Sequence, residues 1–383
     1  PPRSTLFPYT TLFRSIRRKV KGVLNKVSAA NVDKSYAELR ALLSEYSRGD
    51  LNEALCWNML DTCANQPTIT LSTLMAMTGM VAALHKQEGL QVGSVHMEQY
   101  AHKLKALLED RAGETQRNGK YAEANNVQID AKAGITAIAA AVVASLTPAQ
   151  LTERANKLKE VLHLCSILSG LLLFRVITAT FMFGLCQYVI EHPSLVWDDK
   201  VEILTHILHR CGLTLRKDDP AALKVLIVNV QKSAASNAAQ SSRTEFMLDT
   251  LTSIRNNKTL NYGEDEMIAG LNRFITSAAG KDSIGGELTP GWRDVLDVEK
   301  SGRWWLVGAA FVQRNNFLEN EEQKNDAADE ESESEEDEAA INTRKLLQEA
   351  VKQGMNTKLR KAVFCIVMGS VDYMEAFEKL NRL

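Results

Sequence analysis

Apolar side chains recur every three or four residues along this chain, and this spacing constrains its fold more than any other feature. The first series predicts a helix that Asn31 caps and Gly49 ends. Its apolar face consists of Val32, Tyr36, Leu39, Leu43 and Tyr46. Apolar residues at this spacing share one face of an α-helix, whereas a half-buried strand needs strict alternation. Such alternation is nowhere sustained and the chain has only 8 prolines, so the pattern predicts an all-α protein.

Further series of the same kind follow. Asp50 and Glu53 have capping-box-like spacing at the start of a second helix. A later helix is expected to end at Gly212, and Asp219 then caps another that has Pro220 at its first position. Helices of ~12–20 residues in pairs that repeat every ~40–47 residues are the units of an α-solenoid, in which each pair buries its apolar face against the next. We therefore expect a stack of helical hairpins with an extended surface.

Three parts of the chain depart from this pattern. Residues 1–15 have no helical period and no signal-peptide order, and we interpret them as foreign, adaptor-derived sequence. Residues from about 114 to 150 are rich in Ala and Asn and are expected to be an insertion, part loop and part helix. The chain stops at Leu383 inside a helical pattern, which we interpret as a fragment.

A strongly acidic run separates the helical regions. Residues 319–338 carry 12 acidic side chains and one lysine, a net charge of −11, while the whole chain carries −2. The remainder therefore carries +9 and is basic. Like charges at this density cannot bury a core, so a disordered linker is expected. Ser332 and Ser334 are candidate phosphorylation sites within it, although a solvated spacer is the simpler role.

Residues 161–190 are nearly all apolar and are long enough for a membrane span. Arg175 lies in the middle of this run, however, and an arginine at the bilayer centre costs ~2.5–3.5 kcal/mol. Ser169 and Gly170 offer a break between two buried helices. We therefore expect two core helices here and no membrane segment.

The sequence contains no motif for phosphate-loop, dinucleotide, zinc-protease or serine-hydrolase chemistry. His206 and His209 have a spacing that suits metal ligands on one helix. No carboxylate or cysteine pattern completes such a site, so a packed or exposed pair is preferred. The six cysteines form no C-x-x-C pair, which favours reduced thiols in an intracellular protein. We expect no enzyme, cofactor, metal or small-molecule substrate.

Four segments go beyond composition. They are VKGVLNKVSAANV (20–32), CGLTLRKDDPAALKVLI (211–227), GRWWLVGAAF (302–311) and MNTKLRKAVFCIVMGSVDYMEAFEKL (355–380). Together they closely resemble the MIF4G family of nucleolar small-subunit biogenesis factors, in which a MIF4G domain precedes an MA-3 domain. The resemblance implies a MIF4G domain of HEAT-like, armadillo-type hairpins at 16–262, interrupted by the insertion. It also implies a linker at 263–340 and a truncated MA-3 domain at 341–383.

The same resemblance implies a function. MIF4G domains bind the RecA-like domains of DEAD-box RNA helicases of the initiation-factor-4A type, and the nucleolar members serve pre-18S rRNA processing. We therefore expect a non-enzymatic scaffold, located in the nucleus and nucleolus, that docks and stimulates such a helicase. Ribosome biogenesis is the process that this resemblance implies.

Asn25 and Lys26 are the closest match to a helicase-contact motif. Residues 24–27, LNKV, repeat the context of an Asn-Lys pair that a related splicing-factor domain needs for its helicase. The amide can donate and accept hydrogen bonds, and the ammonium supplies a point charge for an acidic partner. The alternative is that Asn25 only caps a turn. Arg216 and Lys217 match the RKDD turn of the family and are further candidate contacts.

A basic run at the start of the family-like region supports an alternative function, that of an RNA-binding module. The run consists of Arg17, Arg18, Lys19, Lys21 and Lys26, and the first four are the candidate RNA contacts. Phosphate contacts from such residues are sequence-blind and salt-sensitive. No aromatic residues are interleaved to stack bases, so sequence-specific recognition is not supported. A solvated basic face or an import signal is an equally good interpretation.

Trp304 and Trp305 permit two interpretations. Tryptophan is enriched at interface hot spots, so the pair would suit an exposed anchor. A buried pair is preferred, because large aromatic side chains more often pack inside a domain.

Overall fold

The computed structural model describes residues 6–124, 147–236, 242–258, 265–280 and 285–306, together with 346, 358–369, 376, 377 and 380. The chain divides into two compact units, Pro1–Trp292 and Arg293–Leu383. Regular secondary structure in the described ranges is helical, and the β-bridge between Ile177 and Leu288 is isolated. This confirms the all-α prediction.

Helices build the described part of the first unit. They are α1 (Leu6–Leu24), α2 (Val32–Leu42), α3 (Arg48–Asn65), α4 (Leu71–Glu88), α5 (Leu90–Ala124), α6 (Pro148–Leu173), α7 (Ala179–Glu191), α8 (Trp197–Asp218), α9 (Pro220–Ser236), α10 (Ser242–Arg255) and α11 (Asp265–Ala279). Helical backbone thus begins at Leu6, inside the segment that we interpreted as foreign. Of the expected insertion, the first part extends α5 and the last part begins α6, while residues 125–146 lie outside the described ranges.

Helices α1, α3, α6, α8 and α10 form a central row in which each packs on the next. Helices α4 and α5 pack on each other and on α6, while α7 joins α8 to α9. Each helix turns one apolar face inward; on α8 these residues include Val201, Leu204, Leu208 and Cys211. A stack in which each helix is buried mainly by its neighbours is an α-solenoid. The predicted solenoid is therefore confirmed.

Local hydrogen bonds set the helix ends a few residues away from their expected positions. Gly49 lies in the first turn of α3 instead of ending the preceding helix. Ser47, and not Asp50, caps α3, since its hydroxyl accepts the Asp50 backbone N–H at 3.1 Å. Gly212 lies inside α8, where any Cβ would overlap the Ile254 side chain. That glycine permits close packing of α8 on α10, a role that helical spacing alone does not indicate.

Residues 161–190 form parts of two core helices, as expected, but the break lies elsewhere. Helix α6 continues through Gly170, where a Cβ would come within 3.2 Å of the Met75 sulfur. The chain turns at Arg175, which has a positive φ of 58°. Arg175 forms a bidentate ion pair with Asp218, in which Nη1 and Nη2 donate to the two carboxylate oxygens at 2.7 and 3.0 Å. Among the described residues, no helix combines the length and apolarity that crossing a membrane requires.

Residues 265–280 and 285–292, within the range expected to be a linker, pack on the solenoid. Helix α11 lies on α4 and buries Leu271, Phe274 and Ile275. The Phe274 ring meets the Tyr36 ring edge to face at 5.4 Å between centroids. The first compact unit thus extends to Trp292, beyond residue 262, and the domain boundary expected there stays a prediction.

We call residues 285–292 the strap. The Leu288 backbone N–H donates to the Val176 carbonyl at 2.8 Å, and the Thr178 N–H donates to the Leu288 carbonyl at 3.2 Å. Trp292 ends the strap, is 1% exposed and meets the Phe181 ring at 5.4 Å between centroids. The strap is thus held by both backbone pairing and aromatic packing.

A buried ion cluster joins α5, α6 and α8. Arg111 is 2% exposed and binds the Asp199 carboxylate through two nitrogens, at 2.7 and 3.2 Å. Arg154 binds the same carboxylate at 3.2 Å, and its carbonyl accepts from Arg111 at 3.0 Å. The charge of the buried Asp199 carboxylate is thus compensated by two arginines from other helices.

The two histidines with metal-like spacing face different helices. His206 Nε2 lies 2.8 Å from the Ser166 hydroxyl and accepts from Arg210 Nε at 3.1 Å. His209 Nε2 lies 3.3 Å from the Thr250 hydroxyl. They are therefore partly buried side chains packed against different neighbouring helices.

Two buried histidines make the stability of the fold dependent on pH. Burial lowers the pKa of His96 and of His206 to about 3. Between about pH 6.5 and pH 3 the unfolded chain binds protons at these rings that the folded chain does not, so stability falls as pH falls. We expect each histidine to contribute a loss of about 1.4 kcal/mol per pH unit in that window.

Urea denaturation at about pH 7 and pH 5 measures this slope. Carboxylates also contribute, so the comparison is with the double variant His96→Gln/His206→Gln, whose slope should be smaller by about 2–3 kcal/mol per pH unit. Equal slopes in the two proteins would contradict the assignment.

The second unit is described only in part. It contains most of α12 (Trp292–Leu296), then α13 (Val298–Ser301), a 3₁₀ turn (Trp304–Leu306) and α14 (Lys358–Gly369). Trp305 is 5% exposed, which confirms the buried interpretation for that residue. The acidic run and most of the segment from 341 to 383 lie outside the described residues, so the disordered linker and the MA-3 domain stay predictions.

Candidate functional site

Asn25 and Lys26 lie in an exposed turn just after α1. The Asn25 backbone N–H donates to the Lys21 carbonyl and the Lys26 N–H to the Val23 carbonyl, each at 3.0 Å. Both side chains are exposed, and in the described part of the chain neither makes a hydrogen bond or an ion pair. The turn therefore presents an amide and an ammonium that are available to a partner.

Asn31 fixes this turn. It occupies the N-cap position of α2, as expected, but its side chain forms no capping hydrogen bond. Instead its Nδ2 donates to the Lys26 carbonyl at 2.8 Å, and its Oδ1 accepts the Ser28 N–H at 2.8 Å. Asn side chains commonly bond to nearby backbone in this way. Sequence analysis missed this role; the only signal was an Asn a few residues after the Asn-Lys pair.

Helix α1 is anchored firmly beneath the turn. Its buried residues Ile16, Val20 and Leu24 pack on α3. The Asn58 side chain donates to the Arg17 carbonyl at 3.0 Å, across to α3. The position of the Asn25–Lys26 turn is thus set by packing as well as by local hydrogen bonds.

Three of the four candidate RNA-binding residues make contacts with other side chains of this chain. Lys19 pairs with Glu45 at 2.6 Å, and this hydrogen bond raises the pKa of the lysine. Lys21 pairs with Asp61 at 3.0 Å. The Arg17 guanidinium lies over the Trp57 ring. Arg18 is exposed and has no partner among the described residues, so it is the candidate in this run that is available without breaking a contact.

Of the two candidate contacts in the RKDD turn, Arg216 is bonded within the chain and Lys217 is not. Arg216 Nε donates to the Arg255 carbonyl at 3.1 Å, and its Nη1 donates to Asn257 Oδ1 at 2.9 Å. This guanidinium ties the end of α8 to the end of α10. Lys217 is exposed and unpaired within the described ranges. The Asp219 carboxylate accepts two backbone N–H groups at the start of α9, at 2.9 and 3.0 Å, which confirms the predicted cap.

The two candidate contacts lie on different hairpins. The Asn25–Lys26 turn follows α1, whereas Lys217 lies in the last turn of α8, and α3 and α6 come between them in the central row. The structure therefore does not gather the four candidate residues into one site. It presents two separate points along one solenoid.

Two observations concern metal binding and thiol chemistry among the described residues. No group of three or more His, Cys, Asp or Glu residues in these ranges could hold a metal ion. Burial raises the pKa of four thiols to about 12; these belong to Cys56, Cys63, Cys165 and Cys211. Thiolate nucleophiles at these positions are therefore scarce at neutral pH.

Comparison with known proteins gives the family. The model of the MIF4G domain matches residues 17–258. Nucleolar MIF4G domain-containing protein 1 of Mus musculus is 27% identical over 381 residues, which cover 96% of this chain and 37% of that protein. Its Drosophila melanogaster homolog is 26% identical over 374 residues, 96% of this chain and 38% of the relative.

A fungal relative shows the same extent. Suppressor of glycerol defect protein 1 of Schizosaccharomyces pombe is 25% identical over 377 residues, 96% of this chain and 43% of that protein. The chain thus spans about two fifths of the length of these relatives. Since the domain match covers more than half of the chain, and the described fold is an all-α solenoid, the chain belongs to the MIF4G family.

Proposed function

We propose that this chain is a non-enzymatic scaffold that binds and stimulates a DEAD-box RNA helicase of the initiation-factor-4A type. The observation that carries the proposal is the Asn25–Lys26 turn. Its two polar side chains are exposed and unpaired within the described ranges, while Asn31 fixes the backbone beneath them. A turn whose backbone is already fixed loses less entropy on binding than a flexible segment would.

The comparisons support the setting of this proposal. The mouse and fly relatives carry the word nucleolar in their names, and we infer that this chain also works in the nucleus and nucleolus. The process that we propose is pre-18S rRNA processing during small-subunit biogenesis.

Lys217 supplies a second point of contact on another hairpin. A helicase of this class has two RecA-like domains, and two contact points along one solenoid would hold both in a fixed relative position. A scaffold shifts the conformations of its partner only if it binds one of them more tightly. We therefore propose that stimulation comes from preferential binding of the closed, ATP-hydrolysing arrangement.

The test is the RNA-dependent ATPase rate of a nuclear helicase of this type, with and without the chain, together with the affinity of the pair. The double substitution Asn25→Asp/Lys26→Glu should weaken binding at least about thirtyfold, because it places unpaired charge in a buried contact. Stimulation of the ATPase should disappear at the same protein concentration.

The matched control is Lys34→Glu, which reverses an exposed charge on the adjacent helix α2. It should bind like the wild type. A folded wild-type chain that fails to bind, or a double variant that binds normally, contradicts the proposal. Salt-sensitive RNA binding by the chain alone, lost in Arg18→Glu, would favour the RNA-binding alternative instead.

A further inference from the structure

A cavity of about 540 Å³ opens between α3 and the junction of α4 with α5. Its volume lies within the ~300–1,000 Å³ typical of ligand pockets. Four charged side chains line the cavity, namely Arg48, Asp50, Glu53 and Glu88. The uncharged Asn52 and Trp57 also belong to the lining. None of them belongs to the Asn25–Lys26 turn.

The charged lining is acidic. Arg48 Nε donates to Glu88 at 3.1 Å, and Asp50 accepts the Ser47 hydroxyl at 2.7 Å. Glu53 is exposed and has neither a hydrogen bond nor an ion pair in the described part of the chain. Three carboxylates against one guanidinium favour a cationic occupant and repel phosphates.

Asn52 gives this cavity a directed polar group. It is 8% exposed, and its Oδ1 lies 3.0 Å from His96 Nε2. His96 is fully buried and its Nδ1 lies 2.6 Å from the Tyr100 hydroxyl. Because Oδ1 can only accept, Nε2 donates, and the Asn52 orientation is fixed. Its amide N–H₂ makes no hydrogen bond among the described residues, and because Asn52 belongs to the cavity lining, this group suits a carbonyl oxygen of an occupant.

Two cavity-lining residues, Trp57 and Glu88, already contact guanidinium groups of this chain. The Arg17 guanidinium lies over the Trp57 ring, and Trp57 remains 39% exposed with Arg17 in place. The Arg48 guanidinium pairs with Glu88 while its own side chain is 75% exposed. A planar guanidinium both stacks on indole and bonds carboxylates through its fork of N–H donors, which an ammonium does less well.

We propose that this cavity binds an arginine side chain in a peptide segment of a partner protein. Glu53 and Glu88 accept its guanidinium, Trp57 contacts its plane, and Asn52 donates to the carbonyl of the same segment. The volume exceeds that of one side chain, so the backbone on either side also enters. The inference does not depend on the helicase assignment.

The test uses an acetylated and amidated peptide, Gly-Ser-Arg-Ser-Gly, and its twin with citrulline in place of arginine. Citrulline has nearly the same shape but no charge. NMR of the tryptophan indole N–H groups in the full chain follows binding, and Trp57→Phe identifies the Trp57 signal by its loss. The arginine peptide should shift that signal saturably at concentrations up to about 10 mM, since one side chain binds weakly. The citrulline peptide should not.

Two variants test the assigned roles. Glu53→Gln should weaken peptide binding by about 2–5-fold, in line with an exposed charge pair. Its matched control, Glu38→Gln, removes an exposed carboxylate on α2 and should change nothing. Arg48→Ala frees Glu88 and removes a competing cation, so binding should become about twofold tighter or better.

Each contrary result overturns part or all of the proposal. The absence of a saturable shift, or an equal shift with citrulline, overturns guanidinium recognition. Equal affinities for Glu53→Gln and Glu38→Gln place the peptide elsewhere. Unchanged or weaker binding by Arg48→Ala overturns the role of Glu88.

Discussion

Replacing Arg111 with Ala is expected to lower the free energy of unfolding by about 3–5 kcal/mol. Arg111 is 2% exposed and supplies two of the nitrogens that bind Asp199, at 2.7 and 3.2 Å. Asp199 is itself 9% exposed. The variant leaves this carboxylate in a poorly solvated position with Arg154 as its remaining partner, so the cost is that of breaking its two-nitrogen ion pair in a buried site.

Urea denaturation followed by circular dichroism measures this loss. Replacing both partners with apolar residues, as in Arg111→Met/Asp199→Leu, should recover part of the stability, because the buried Arg111–Asp199 pair is then removed as a whole while Arg154, 15% exposed, loses its carboxylate. Lys105→Ala, which removes an exposed partner of Glu109, should cost less than about 1 kcal/mol. If Arg111→Ala costs no more than this control, the cluster does not stabilise the junction of α5, α6 and α8.

Replacing Trp292 with Ala is expected to cost about 3–5 kcal/mol, the usual range for deleting a buried aromatic side chain. Trp292 is 1% exposed and lies beside Phe181 and Tyr188, with ring centroids 5.4 and 5.7 Å away. A Cβ on Gly184 would lie 2.8 Å from the Trp292 Cβ, so α7 is shaped for close approach of this residue. The loss should also loosen the strap.

Two measurements separate these effects. Denaturation gives the global loss, and hydrogen exchange of the Leu288 amide reports on the strap, since that N–H donates to the Val176 carbonyl at 2.8 Å. Trp57→Ala is the matched control, because Trp57 is 39% exposed and lies outside the strap. Faster exchange at Leu288 is expected only in Trp292→Ala. Unchanged exchange there would show that the strap docks without its tryptophan.

At the candidate site, the sequence named residues but could not show which of their side chains are ion-paired within the chain. Asn25 and Lys26 were named from the sequence, and both are exposed as a contact requires. Lys19 and Lys21 were named for the alternative, RNA-binding function, and each is paired with a carboxylate 26 or 40 positions away. A local pattern contains no information on which distant acid a lysine meets, because that depends on how α1 packs on its neighbours.

The same reason explains Arg216. Its match to the RKDD turn marks it as a contact residue, but its donors are taken up by the Arg255 carbonyl and Asn257 Oδ1, about 40 positions later. Asp219 was correctly predicted as a cap, since capping involves only the next two or three residues. Short-range hydrogen bonds were predictable and long-range ones were not.

By itself, the sequence determined the all-α class, the solenoid stacking and the cap at Asp219, because each follows from the spacing of neighbouring side chains along one helix. Only the tertiary structure decided that α11 and the strap return to the solenoid, with Leu288 paired to residues more than a hundred positions earlier. It also decided which charged side chains form ion pairs within the chain, as Arg111 does with Asp199 and Lys21 does with Asp61. These outcomes depend on helix packing, where the free energy of burying one surface is set by what the rest of the chain brings against it.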